Sequence, residues 1–453
     1  MEPIDESETG NWFDLVRKGV KTPTFANTGW SAMGTVANGM VGAVSSAILA
    51  RFLGIADFGT LVLVISILNL VSELADFGLG SAIVKFGAPA LEQRNPERFH
   101  LVASLVFRLK LLLGAAVLLV AVLFVGPIVS SVFGHMDDQV KWYFQLSLVA
   151  AGLTIVGSIQ LPIFQAHRSF RTLAIVISSR YILKLVLLLG AMAVVTQWSV
   201  EIGVWLEIAS AVAFVVFGFS LTPVRKLSLG LRDAKLQREV LRFNRWISLQ
   251  QIITLFGGRA DVFFLGGFSD ANALGLYGAA SKIAGVIQLA ASSYYSALLP
   301  EFSAATSSAE MSHRRRSSLG VGVLLIVAIG IAALCAEPVS VLLFGEEYRE
   351  AGTILQVMSI GLAFHVLAHP FMAVLFASNR SALLPIVSGI SMGVFIFCNV
   401  LLVPEYGPIG AAAAFSAGGC ATFLMALGCS KKGKGPVAAV DERTDSNSAT
   451  LTD

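Results

Sequence analysis

The sequence has 453 residues, of which 55% are hydrophobic and only 13% charged, with a formal net charge of +3 and a mean hydropathy of +0.76. A soluble domain would carry about a quarter charged residues, so soluble enzymes and nucleic-acid-binding proteins are excluded. Nearly charge-free runs of about twenty residues recur between residues 28 and 428, enough to cross a hydrocarbon core about 30 Å thick. Strands of a membrane β-barrel would instead be about ten residues long and alternating. The class is an all-α polytopic membrane protein.

Twelve spans are predicted, over 28–50, 58–84, 103–127, 142–164, 172–195, 201–221, 246–267, 274–299, 317–336, 352–377, 382–403 and 408–428. The segment before them, residues 1–27, is acidic and then amphipathic, without the apolar core of a cleavable signal peptide. The first span carries a polar stripe of Ser31, Thr35, Asn38, Gly42 and Ser45, and the second one of Ser66, Asn69, Glu73, Asp76 and Gly80. Small residues at this spacing serve close helix packing. Asn69 and Glu73 fit that poorly, because large polar groups in lipid or in a dry seam are costly. A wet surface between two halves suits them better.

Arg108 and Lys110 lie near one end of the third span and are expected to snorkel to the interface. Arg180 and Lys184 sit about 12 and 18 Å into the fifth span, on one helical face. Two like charges there need water, an anion, or an acidic neighbour such as Glu73 or Glu207. Residues 222–245 form the longest loop, basic and amphipathic, and are expected to lie along anionic headgroups as an interfacial helix. They separate a six-helix lobe (28–221) from a second one (246–428).

In the seventh span, Arg259 and Asp261 are about 200° apart on a helical wheel. They are therefore not each other's partner. Gln250 falls on the side of Asp261. The eighth span bears Lys282 and a stripe of Ser281, Gly285, Gln288, Ser292 and Tyr295. On the tenth, His365 and His369 lie one turn apart beside Pro370 with no third ligand nearby, which reads as packing and not as a metal site. The four cysteines lie in or beside apolar segments and read as small core residues. The last residues, 429–453, are polar and expected to be disordered.

With the N-terminus inside, cytoplasmic segments hold 23 Lys and Arg and outer loops only Arg51, Lys141 and Arg349. By the positive-inside rule both termini are cytoplasmic. The halves also repeat. "FLG" at 52–54 recurs at 264–266, "IFQAHRS" from Ile163 recurs as "LFASNRS" from Leu375, and "VFG" at 132–134 recurs as "LFG" at 343–345. Six helices per repeat give both halves the same orientation. That is the parallel-repeat plan of secondary transporters, with the substrate site between lobes.

The stretch "ARFLGIADFGTLVLVISILNLVSELADFGLGSAIVKFGA" resembles the first hairpin of Wzx-type polysaccharide flippases, of the multidrug/oligosaccharidyl-lipid/polysaccharide exporter superfamily. "FQAHRSFRTLA", "RADVFFLGGFSDANALGLYGAA", "LLFGEEYREAGTILQV" and "LLVPEYGPIGAAAAFSAGG" continue the likeness in order over residues 20–428. One departure is the turn "GGFSDANALG", about four residues longer than "GIADFG", which upsets strict mapping along the eighth span.

The resemblance implies two lobes around a central cavity, alternating access, and a polyprenyl-pyrophosphate-linked oligosaccharide moved to the outer leaflet of a bacterial inner membrane. Under that expectation Arg180, Lys184, Arg259 and Lys282 bind the pyrophosphate. Asp261, Glu73 and Asp76 serve coupling or gating, and Asn38, Asn69, Gln250 and Gln288 line the cavity. The expected partners are the lipid-linked oligosaccharide, membrane lipids, and a polymerase and other proteins of the same pathway. No metal or cofactor is expected, and coupling to a proton or sodium gradient is left open. A cation-coupled drug or metabolite exporter is one alternative. A membrane-embedded polymerase or ligase is another, but the chain has no nucleotide-binding "GxxxxGK[ST]" motif and no outer loop large enough for a catalytic site.

Overall fold

The computed structural model describes residues 23–132, 139–222, 227, 233–303, 308–378, 380 and 383–431. Among these, nine helical segments are long and apolar enough to cross a membrane. Two of them contain a break, at Gly54 in Pro23–Asp76 and at Gly407 in Leu383–Lys431. Both glycines have positive φ, 76° and 54°, a conformation that a side chain disfavours, and each turns one span into the next. The pair Ala234–Gly257 and Ala260–Phe268 supplies a further crossing. Counted with these breaks and this pair, the described residues make twelve crossings, as expected from the sequence. The expected disorder of 429–453 and the segment 1–27 fall mostly outside the described residues, although the last helix runs to Lys431.

The turns after the first, seventh and ninth spans lie together at one end, where the two halves meet most tightly. A Cβ on Gly59 would stand 1.9 Å from the carbonyl oxygen of Ala271, and one on Gly275 would stand 2.1 Å from that of Ile55. Only a bare backbone allows this approach. The contact is reciprocal, 59 to 271 and 275 to 55, as a two-fold relation between repeats requires. It sets the offset between the second and eighth spans at 216, in place of the 212 seen in the "FLG" match. The four extra residues of the turn account for the shift. Gly54 turns the chain, whereas its counterpart Gly266 is still helical and the turn falls at Ser269.

An aromatic cluster seals the same end. Phe58 meets Phe344 and Tyr348 at centroid distances of 6.3 and 6.1 Å. The Tyr348 hydroxyl donates to the carbonyl of Ala50 at 3.2 Å. Arg51 donates to the carbonyls of Leu343, at 2.8 Å, and Leu342, which end the helix Ala336–Phe344 and lack intrahelical partners. The mirror contact is present too, with Val132 beside Gly267.

At the opposite, basic end the sequence expectation is corrected. The second half of the interlobe segment is no separate interfacial helix, because Ala234–Gly257 runs unbroken into the seventh span. Its apolar face, with Leu236 and Val240, is buried against Leu79, Ile83, Phe99 and Val102 of the N-terminal half. Phe243 packs edge-on to Phe86 and under the Lys85 ammonium, and Asn244 and Ser248 donate to the carbonyl of Phe77 at 3.1 and 2.6 Å. An amphipathic helix buries its apolar face in whatever apolar surface is available, and here that surface is protein.

Candidate functional site

Between these two bridged ends lies a cavity of about 210 Å³. Its walls come mainly from the first, second, fifth and sixth spans, with Gly42, Ser66, Asn69, Tyr181 and Glu207 among them. Arg180 and Lys184 enter from the fifth span, Arg259 from the seventh and Lys282 from the eighth. All four cations predicted from sequence therefore line one cavity, two from each half. Tyr181 follows Arg180 directly and was legible only as its neighbour.

Two carboxylates answer three of these charges. Glu207 pairs with Lys184, and its other oxygen lies 3.6 Å from Arg180. Glu207 is 9% exposed and Lys184 14%, so the pair is largely withdrawn from solvent and each charge depends on the other. Arg259 reaches across the lobes to Glu73 at 2.7 Å, where the carboxylate is 49% exposed. Lys282 has no carboxylate within 4 Å among the described residues. Among the described residues, four cations against two anions leave the cavity net positive.

The backbone explains how Arg259 and Asp261 diverge. The seventh span is not one helix: it stops at Gly257 and restarts at Ala260, with Arg259 at φ −133° and ψ 6° between them. The helical-wheel separation expected from sequence therefore does not apply as derived, although the two side chains do part. Asp261 turns away from the central cavity. It accepts from the Tyr277 hydroxyl and from the backbone amide of Val262 at 2.8 Å. It lines a second cavity of about 370 Å³ in the C-terminal half, with Ser281, Gln288, His365, Ser391 and Thr422. His365 stacks on Phe415 there, and His369 lies between Tyr294 and Tyr295.

Other sequence expectations change place. Asp76 pairs with Lys110, inside the N-terminal half and not across the lobes. Lys110 is 2% exposed, so it is buried and paired, where snorkelling had been expected. Its position near a helix end favoured the interface, but a carboxylate from the second span met it first. Arg108 donates to Gln237 at 3.0 Å. Asn38 is buried beside Gly39, Tyr181 and Leu289 in a small adjoining cavity. The side chain of Gln250 lies outside the described residues.

Residues 24–306, well over half of the chain, match the model of a family described as polysaccharide biosynthesis protein. The chain belongs to that family. It is 31% identical to the inner membrane protein YghQ of Escherichia coli (strain K12) over 116 residues, which are 26% of this chain and 32% of that protein. The shared segment thus spans about a third of the relative's length.

The fold is that of solved transporters at low identity. Lipid II flippase MurJ, in an inward closed conformation, matches with a TM-score of 0.73 and 14% identity over 89% of this chain and 87% of that one. An inward-facing multidrug resistance MATE family transporter of the MOP superfamily matches with a TM-score of 0.68 and 14% identity, covering 91% and 96%. The Vibrio cholerae MATE transporter VcmN, solved as a mutant, gives 0.63 and 15%, covering 90% and 95%. Within this polysaccharide biosynthesis protein, the stretches that carried the sequence resemblance include the parts that join the lobes. "ARFLG" supplies Ala50 and Arg51, and "LLFGEEY" supplies Phe344 and Tyr348, of the turn-end seal.

Proposed function

We propose that this protein is an alternating-access flippase for a polyprenyl-pyrophosphate-linked oligosaccharide. It would sit in a bacterial inner membrane with both termini and the basic end in the cytoplasm, and feed surface polysaccharide synthesis. The convergence of four cations from both lobes on one cavity, with two carboxylates answering them among the described residues, carries this reading. A pyrophosphate supplies the missing negative charge and accepts multiple charge-assisted hydrogen bonds. Family membership supports the polysaccharide pathway, and the name of the Escherichia coli relative supports the inner membrane.

The ion pairs give the site its working logic. Glu207 and Glu73 hold Arg180, Lys184 and Arg259 in place. An arriving pyrophosphate competes for Arg180, Lys184 and Arg259 and binds Lys282 without displacing any partner. Release of Arg259 from Glu73 removes a bond between the lobes, which ties binding to rocking. Asp261, in its own cavity, is the candidate for coupling to a proton or sodium gradient. Export of small organic cations is the weaker reading, because a positive cavity repels them. Surface-polysaccharide export by cells carrying Arg180→Gln together with Lys282→Gln tests the proposal. Loss of export at normal membrane levels is expected, and full export would refute it.

A further inference from the structure

The central cavity does not end at Tyr181. That ring also lines the adjoining cavity of about 200 Å³, whose other walls include Asn38, Gly34 and Ala174. Gly34 and Ala174 in turn line a third space of about 640 Å³. This outermost space is an apolar groove on the lipid-facing side of the first, fifth and sixth spans, floored by Ile175, Ile182, Val186 and Phe217. Three spaces in series thus run from the cationic cavity to the lipid surface, each sharing lining residues with the next. The wall between the last two is formed by the smallest side chains available. A Cβ on Gly34 would stand 3.3 Å from the Ala174 Cβ, and one on Gly42 would stand 3.5 Å from the Tyr181 ring.

Polarity grades along the same path. Arg180, Lys184 and Lys282 mark its inner end, Asn38 and Thr35 its middle, and aliphatic side chains its outer end. Arg171 stands in the outer groove near the start of the fifth span, at the basic end. Another apolar groove, of about 280 Å³ between the eighth, ninth and tenth spans, shares no lining residue with either polar cavity. At the repeat positions in the other half, 212 residues on, Gly34 and Ala174 are replaced by the bulky Trp246 and Ile386.

We infer that the seam between the first and fifth spans is a lateral entrance for one molecule with an anionic head and a long apolar tail. The head rests in the cationic cavity while the tail lies in the groove over Ile175, Ile182 and Val186. A chain of isoprene units then never leaves an apolar environment, and only the head is desolvated. Tyr181 divides the two environments. This inference rests on the flippase reading and adds to it the route and the place of the tail.

The test is a reversible cross-link. Gly34→Cys with Ala174→Cys places two thiols at a Cβ separation near the ~3.8 Å of natural disulfides, in a chain whose four native cysteines are replaced by alanine. Binding is measured in nanodiscs with two probes, a long-chain polyprenyl pyrophosphate and inorganic pyrophosphate. The expected result is that oxidation weakens the long-chain probe at least tenfold, leaves pyrophosphate unchanged, and is reversed by a reducing agent. Reversal excludes misfolding as the cause. Long-chain binding that oxidation does not alter would overturn the seam. A reduced protein that binds the long-chain probe no better than pyrophosphate would overturn the tail groove while sparing the anion site. If neither probe binds the unmodified protein, the flippase reading fails and takes the seam with it.

Discussion

The two lobes share one scaffold and hold unlike cavities. The N-terminal cavity, with two cations added from the other lobe, is charged. The C-terminal one is larger and polar, and among the described residues Asp261 is the one acidic group on its walls. At the 212-residue offset of the "IFQAHRS" and "LFASNRS" segments, Arg180 corresponds to Met392 and Lys184 to Ile396. Met392 packs onto bare Gly257, so volume that the N-terminal lobe leaves for ligand is filled in its partner. Duplication preserved the packing frame, whose reciprocal glycine contacts are still visible, while the charges diverged. The division of labour follows: one lobe presents cations, and the other keeps a carboxylate in a separate chamber.

Substitutions can break that contrast. The largest effect is expected from Gly59→Leu, whose side chain has no room at 1.9 Å from the carbonyl oxygen of Ala271. Overpacking costs ~1–3 kcal/mol and occasionally more, and a clash with backbone on two sides, which cannot swing away, belongs above that range. The lobes should separate at the turn end, seen as increased labelling of a cysteine placed at Ala271. Unchanged labelling would show that the seal lies elsewhere.

Next come the charges. Glu207→Ala strips Lys184 of its carboxylate in a poorly solvated site and should destabilise by ~3 kcal/mol, read as a lower midpoint of thermal unfolding in detergent. Met392→Arg, which copies the N-terminal cation with Gly419 in place of the glutamate, should cost less, because Asp261 lines the same cavity. A neutral result for Met392→Arg would mean that the C-terminal cavity is as wet as the N-terminal one.

Tyr277→Phe removes one buried hydrogen bond to Asp261 and should cost ~1–3 kcal/mol, because the carboxylate loses its hydroxyl donor. The smallest change in stability is expected from Glu73→Gln. Its pair with Arg259 is half exposed, and such pairs contribute ~0.2–1 kcal/mol. The same substitution should still shift the balance between open and closed lobes, measurable as a changed distance distribution between spin labels on the second and seventh spans.

Much of the fold was legible because spans announce themselves by length and hydropathy, and the repeat by spaced loop motifs. The four cations were legible because each is costly in lipid and so needs a reason to be there. What escaped depends on neighbours distant in sequence. Spacing along the third span could not reveal that Asp76 would meet Lys110. A helical wheel for Ala234–Arg245 shows an apolar face but not whether lipid or Leu79 and Phe99 will cover it. The break at Gly257–Ala260 had a local signal in the paired glycines of "FGGRAD", yet apolar continuity on both sides outweighed it. Arg51 read as one outer-loop charge, because its partners are backbone carbonyls of a helix end nearly 300 residues away.

The central claim, that the inter-lobe cavity is an anion site built from both halves, meets its most direct test at Lys282. This cation has no carboxylate within 4 Å among the described residues, so Lys282→Gln removes charge without stranding a partner. Pyrophosphate binding to the purified protein in nanodiscs should weaken about tenfold, equivalent to ~1.4 kcal/mol, with the melting temperature essentially unchanged. Equal affinity of Lys282→Gln and the parent protein would contradict the account.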